Sequence, residues 1–360
     1  MNKTLLIVIS ALAIIAIVAS VFLMTEPSEK ETVSSETYSV GDLRITVTGD
    51  IVTGGNIGCE VNPESLIFSS EESAEWKVFD HDKPSSTSKA LYKKYRGDTF
   101  SGTSITLDHP GYGSYDVTAT VGDDVYSGTV TIDGKVERHY EWQCRDIDYS
   151  LDVSFRYSDY VGYQYKDVDR YASNRDRSVF VDGCGGLTDL IASSISAQTV
   201  GLSEYQRANV ILAFVQECFD YPPHTESGSI TVMSGDMYLT GHSDYTMYPI
   251  ETMFYNAGDC EDTSILAASV FKAAGLKAAL LMVPGHAMAC VAIEGETDIG
   301  SYGNFEVYHA NIDGSEYYVC ETTTDEAVDV GLGSSDDFGS DKISSYMHKS
   351  EDKTSGMFII

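Results

Sequence analysis

Residues 248–293, YPIETMFYNAGDCEDTSILAASVFKAAGLKAALLMVPGHAMACVAI, constrain the fold more than any other stretch of the chain. A Gly258-Asp259 turn leads into a helical pattern that opens at Cys260. Asp259 stands at the N-cap, with Glu261 and Asp262 in the first turn. Ile265, Leu266, Ser269 and Val270 fall on one face, and Ala267, Ala268, Ala273 and Ala274 permit close packing. Gly275 stops the helix. An uncharged strand over 278–283 ends at Pro284-Gly285, and His286 heads a second strand.

The same arrangement has chemical content. A thiol at a helix N-terminus sits at the positive end of the dipole, which favours thiolate. Glu261 and Asp262 act against that, so the helix alone does not activate Cys260. A neighbouring imidazolium is required, and His286 supplies it. The plain alternative makes Cys260 a small buried hydrophobe and His286 a turn residue.

Tyr248, Pro249, Glu251 and Thr252, the run Gly258 to Asp262, and Pro284-Gly285-His286 resemble the transglutaminase-like superfamily. That is a papain-like group with a Cys-His-Asp/Glu triad, and the resemblance implies an α+β core of helices packed on an antiparallel sheet. Further on, Tyr317-Tyr318-Val319-Cys320-Glu321-Thr322-Thr323 resembles the strand that supplies the third member. Upstream, Phe214-Val215-Gln216 with Tyr221 resembles the helix before the catalytic loop of microbial members. The similarity spans residues 140–323. It implies Cys260 as nucleophile, His286 as base and acid, and Glu321 as the group that orients the imidazole. Glu321 also follows from position, because Asp313 sits in a turn and Asp325 lies past the strand. Asp259 and Gln216 belong to the site as substrate or oxyanion candidates, although Gln216 reads equally well as a structural amide.

The expected activity is acyl transfer on amide bonds of a protein or peptide substrate through an acyl-cysteine intermediate, most simply with water as acceptor. The alternatives are a cross-linking transglutaminase and a non-catalytic surface binding or adhesion module on the same scaffold. No cofactor is expected. No metal is assigned either, because His224 and His242 lack ligand spacing and Asp336, Asp337 and Asp341 do not form an EF-hand pattern.

The rest of the chain divides by composition. Residues 1–3 form a short end, and 4–24 carry no charge and suffice for a membrane-spanning signal-anchor helix. A cleaved signal peptide is the rival. Residues 25–37 read as a linker, which places the body outside the cytoplasm, on the membrane or secreted. The net charge of −32, from 23 Lys and Arg against 55 Asp and Glu, argues against nucleic-acid partners. Seven cysteines suit an oxidising compartment. If His286 and Glu321 meet on one sheet face, Cys290 and Cys320 point to opposite faces and cannot pair.

Residues 38–134 alternate as strands, with Trp76 in a central one, and resemble an immunoglobulin-like or PKD-like β-sandwich. Residues 83–104, rich in Lys, Ser and Gly, read as a loop. The catalytic domain is expected over 135–332, beginning with a Tyr-rich lead-in that covers a core or forms a carbohydrate platform. Helices follow around Leu187 to Ile195 and after a Ser203/Gln206 capping box. Residues 223–247 read as a long polar loop, Asp313-Gly314 as a hairpin turn, and 333–360 as a solvated acidic tail.

Overall fold

A computed structural model describes residues 35–40, 43–48, 51–52, 58–59, 65–80, 96–108, 113–132, 135–170, 176–222, 225–227, 230–233, 235–240, 242, 244–299, 307–324, 327–332, 340–348 and 355–360. The protein is mixed α and β, and its sheets are antiparallel. In the N-terminal sheet, Ser65–Asp80 pairs with Leu43–Thr48, Arg96–Asp108 and Gly113–Val121. Trp76 lies opposite both Phe100 and Ala119 and is fully buried. Its indole N–H donates to the Gly102 carbonyl at 2.9 Å, which satisfies its polar edge. With Phe68, Val78, Leu107 and Val117 it forms a core separate from that of the remaining chain. Residues 96–104, expected in a loop, are strand. Ile105 and Leu107 alternate into the core, and Gly102, at φ 137°, sits where the strand register shifts.

The second body begins with a hairpin of Lys135–Cys144 and Ile147–Arg156. Arg145 and Asp146 turn it with φ of 52° and 63°, the left-handed pair that matches the twist of two strands. Val136, Tyr140, Trp142 and Cys144 point inward in strict alternation. Helices Leu187–Gln198, Glu204–Cys218 and Pro249–Tyr255 surround the helix Cys260–Ala273. The Ser203/Gln206 capping box forms as the sequence predicts.

A five-stranded sheet lies against these helices, in the order His309–Ile312, Ser315–Cys320, His286–Ala292, Ala278–Val283, Gly356–Ile359. Period-two alternation divides its residues between two cores. Leu280, Ala289, Val291 and Cys320 join the helical core, while Leu281, Cys290 and Val319 join a second core with Ile343 and Met347 of the helix Ser340–Met347. Cys290 and Cys320 therefore face opposite ways. Both are free, as are Cys144, Cys184, Cys218 and Cys260.

Several expectations are corrected. The single-pass membrane protein is one: among the described residues no helix is long and apolar enough to cross a membrane. Residues 4–24, on which that reading and the extracytoplasmic placement rested, lie outside the described residues. Residues 333–360 are not simply a solvated tail, because Gly356–Ile359 pairs along Ala278–Val283 and buries Met357 and Phe358. Residues 223–247 contain a short helix, Gly235–Leu239, and buried Asp236, Tyr245 and Met247. Most of the Tyr-rich lead-in is structural, although Tyr165 is exposed. Tyr140, Trp142, Tyr149, Tyr157 and Tyr160 are buried, and Tyr160 stacks on Phe254 at 3.9 Å between ring centroids. Tyr171 lies outside the described residues.

Candidate active site

Cys260 is the first residue of its helix, and Asp259 is the N-cap. The Asp259 carboxylate accepts from the N–H of Glu261 at 2.9 Å and of Asp262 at 3.3 Å, and Asp262 answers by accepting from the Asp259 N–H at 3.3 Å. Gly258 allows the turn, since a Cβ there would stand 2.7 Å from Asp262 Cβ and 3.2 Å from Thr252 Cγ2.

The first turn of this helix is fastened to two strands. Ser264 donates to the Ala287 carbonyl at 3.2 Å, and the hydroxyls of Thr263 and Thr322 meet at 2.9 Å. The backbone N–H of Ala287 favours the Cys260 thiolate, against the effect of burial. His286, the residue before Ala287, is bound through Nε2 to Glu321 Oε2 at 2.8 Å. Glu321 Oε1 accepts from the N–H of Thr323 at 3.0 Å and from its hydroxyl at 2.8 Å. Burial pushes the Glu321 carboxyl up, but His286 and Thr323 outweigh it and hold the group below the usual glutamate range.

The Cys260 thiol is pushed up, first by burial and then by Asp259, against the opposing Ala287 N–H; Glu261 and Asp262 add to the rise. Of these carboxylates, Glu261 is ion-paired with Arg177, which donates through Nε, and accepts a hydrogen bond from the Thr246 hydroxyl. A second buried pair supports the preceding helix. Arg170 Nη1 donates to Glu251 at 2.8 Å and to the Thr246 carbonyl at 2.6 Å. Tyr245 donates to the other Glu251 oxygen at 2.6 Å.

Gln216 has a different place from the one an oxyanion donor needs. Its amide nitrogen donates to the carbonyls of Glu321 at 2.7 Å and Val328 at 3.1 Å, which uses both hydrogens. It thereby fixes the backbone of Glu321. Arg170, Arg177 and Asp236 escaped the sequence reading altogether. The pairs Arg170–Glu251 and Arg177–Glu261 join a segment without periodic signal to residues some eighty positions away.

The sequence reading assigned no metal, yet carboxylate oxygens of Asp236, Asp259 and Asp262 lie within 4.8 Å of one another. Burial and the charge of Asp259 push the Asp236 carboxyl up to about 8. Burial and Glu261 push Asp259 up to about 6.

No protein-family model, no curated protein and no solved structure matches this chain.

Proposed function

We propose that the protein is a thiol-dependent acyl-transfer enzyme on a transglutaminase-like, papain-like scaffold, hydrolysing amide bonds of a protein or peptide. The observation that carries this reading is the bond from His286 Nε2 to Glu321, with the Cys260 thiol against the backbone of the next residue, Ala287. In the mechanism, the Glu321 carboxylate holds the proton on Nε2, which leaves the Nδ1 lone pair as the base. Nδ1 takes the Cys260 proton, and the sulfur attacks the amide carbon. A C–S bond forms, and the oxyanion meets the Cys260 N–H, which by its place at the helix start has no intrahelical acceptor. The C–N bond then breaks as imidazolium returns the proton to the leaving amine. Water, deprotonated by the same imidazole, forms the C–O bond and releases the thiol.

In the same reading, the N-terminal sheet around Trp76 is an immunoglobulin-like or PKD-like module that presents the catalytic body. A second reading, a non-catalytic binding module, is favoured by the upward displacement of the Cys260 thiol. The test is the rate of Cys260 alkylation by iodoacetamide from pH 5 to 9, together with hydrolysis of a fluorogenic peptide-amide library. The enzyme reading expects a reactive thiol at neutral pH that His286→Ala abolishes, and peptide turnover that Cys260→Ala abolishes. A thiol that reacts no faster than free cysteine, with no turnover, overturns it in favour of the binding module.

A further inference from the structure

We propose that Asp236, Asp259 and Asp262 bind one hard divalent cation. One oxygen from each lies within 4.8 Å of the others, a spacing that a single ion can span. Asp236 is only 5 % exposed, and its Oδ1 is buried with no hydrogen-bond partner. Its Oδ2 accepts from the Tyr245 N–H at 2.8 Å, which fixes the carboxylate. A buried oxygen left in that state is costly unless something else coordinates it. Asp262 is fully buried and oriented by the N–H groups of Met247 at 2.8 Å and Asp259 at 3.3 Å, and each of its oxygens keeps a second lone pair.

Charge balance points the same way. The two nearby arginines are taken, Arg170 by Glu251 and Arg177 by Glu261. Among the described residues, no Lys, Arg or His forms an ion pair with any of the three aspartates. Among the described residues, two buried carboxylates and the half-buried Asp259 therefore lack a compensating side chain. The donors are all carboxylate oxygens, without thiolate or imidazole, which selects calcium or magnesium over zinc or copper.

The cation ties the helix Gly235–Leu239 to the N-cap of the Cys260 helix. This role does not depend on Cys260 being a nucleophile.

The test uses the full chain after chelator treatment, titrated calorimetrically with calcium chloride and with magnesium chloride at fixed ionic strength. One saturable site is expected for at least one ion, with a rise in Tm once the ion is well above its Kd. Asp236→Asn should weaken that binding at least tenfold. Asp148→Asn, on the exposed hairpin, should leave it unchanged. Terbium emission sensitised by nearby tyrosines and displaced by calcium gives a second readout on the wild type. Should Asp236→Asn not fold, Asp262→Asn takes its place. A wild type that binds neither ion saturably overturns the proposal, as does binding unchanged in the aspartate variant or lost equally in Asp148→Asn. The three carboxylates would then share protons instead.

Discussion

His286 gives its Nε2, not its Nδ1, to Glu321 at 2.8 Å. The carboxylate that takes it is held in turn by Thr323, and in the proposed mechanism Nδ1 is the base. Gln216 fixes the Glu321 carbonyl from behind, so a residue of the preceding helix determines where the acid stands.

Replacing Glu321 by Gln keeps the shape and removes the charge that stabilises imidazolium. A serine-protease triad loses about 10⁴ in kcat on the matching Asp-to-Asn change. A Cys-His pair leans less on its acid, so the loss in alkylation rate and turnover should be on the order of 10 to 10³. Pseudo-first-order alkylation rates across pH measure it. A wild-type profile in this variant would show that Glu321 has no share in the site.

The same pair sets an acid limit on stability. The Glu321 carboxyl is held below its unfolded value, which lies near about 4.3. Its contribution is complete above that value and disappears as pH falls through the lower folded one. The Tm advantage of wild type over Glu321→Gln should therefore shrink between pH 5 and pH 2, as scanning calorimetry would record. An offset constant with pH would exclude this linkage.

Gly258→Ala forces a methyl against Asp262 Cβ at 2.7 Å and Thr252 at 3.2 Å. The overpacking should destabilise the chain by about 1–3 kcal/mol. It should also slow Cys260 alkylation, since the turn sets where that helix starts. Urea unfolding and the alkylation assay read the two effects separately.

Arg177→Met leaves Glu261 buried with the Thr246 hydroxyl as its remaining side-chain partner among those described above. Breaking one side of a buried pair costs about 3–5 kcal/mol. Adding Glu261→Gln should restore most of that loss. If the double variant is no more stable than the single one, the guanidinium acts through packing and not through charge.

What was legible in the sequence was local. Asp259 as N-cap, Gly275 as stop and the Ser203 capping box are signals carried within a few residues, and each forms where expected. The alternation through Trp76 marked a central strand. Side-chain parity placed Cys290 and Cys320 on opposite faces. The failures were long-range. Nothing near Arg170 or Arg177 announces a buried carboxylate partner, and Asp236 looked like one more acid in a polar loop. Met357 and Phe358 were too short a run to read as a strand, and they gain their order by pairing along the side of Ala278–Val283 that His286–Ala292 leaves open. For Gln216 the sequence left an oxyanion donor and a structural amide equally open, and its two backbone acceptors are those of a structural amide.

Six thiols among the described residues, free in the native fold, have a consequence for the chain once it opens. Cys144, Cys184, Cys290 and Cys320 are shut away in packed interiors, and the latter two are separated by the thickness of a sheet. Folding is what keeps them apart. In the unfolded ensemble that separation vanishes, and air oxidation links whichever sulfurs collide. Each cross-link then withdraws a molecule from refolding, so heating becomes a one-way process whose extent follows time and oxidant. With a reductant present, the same transition should return on cooling.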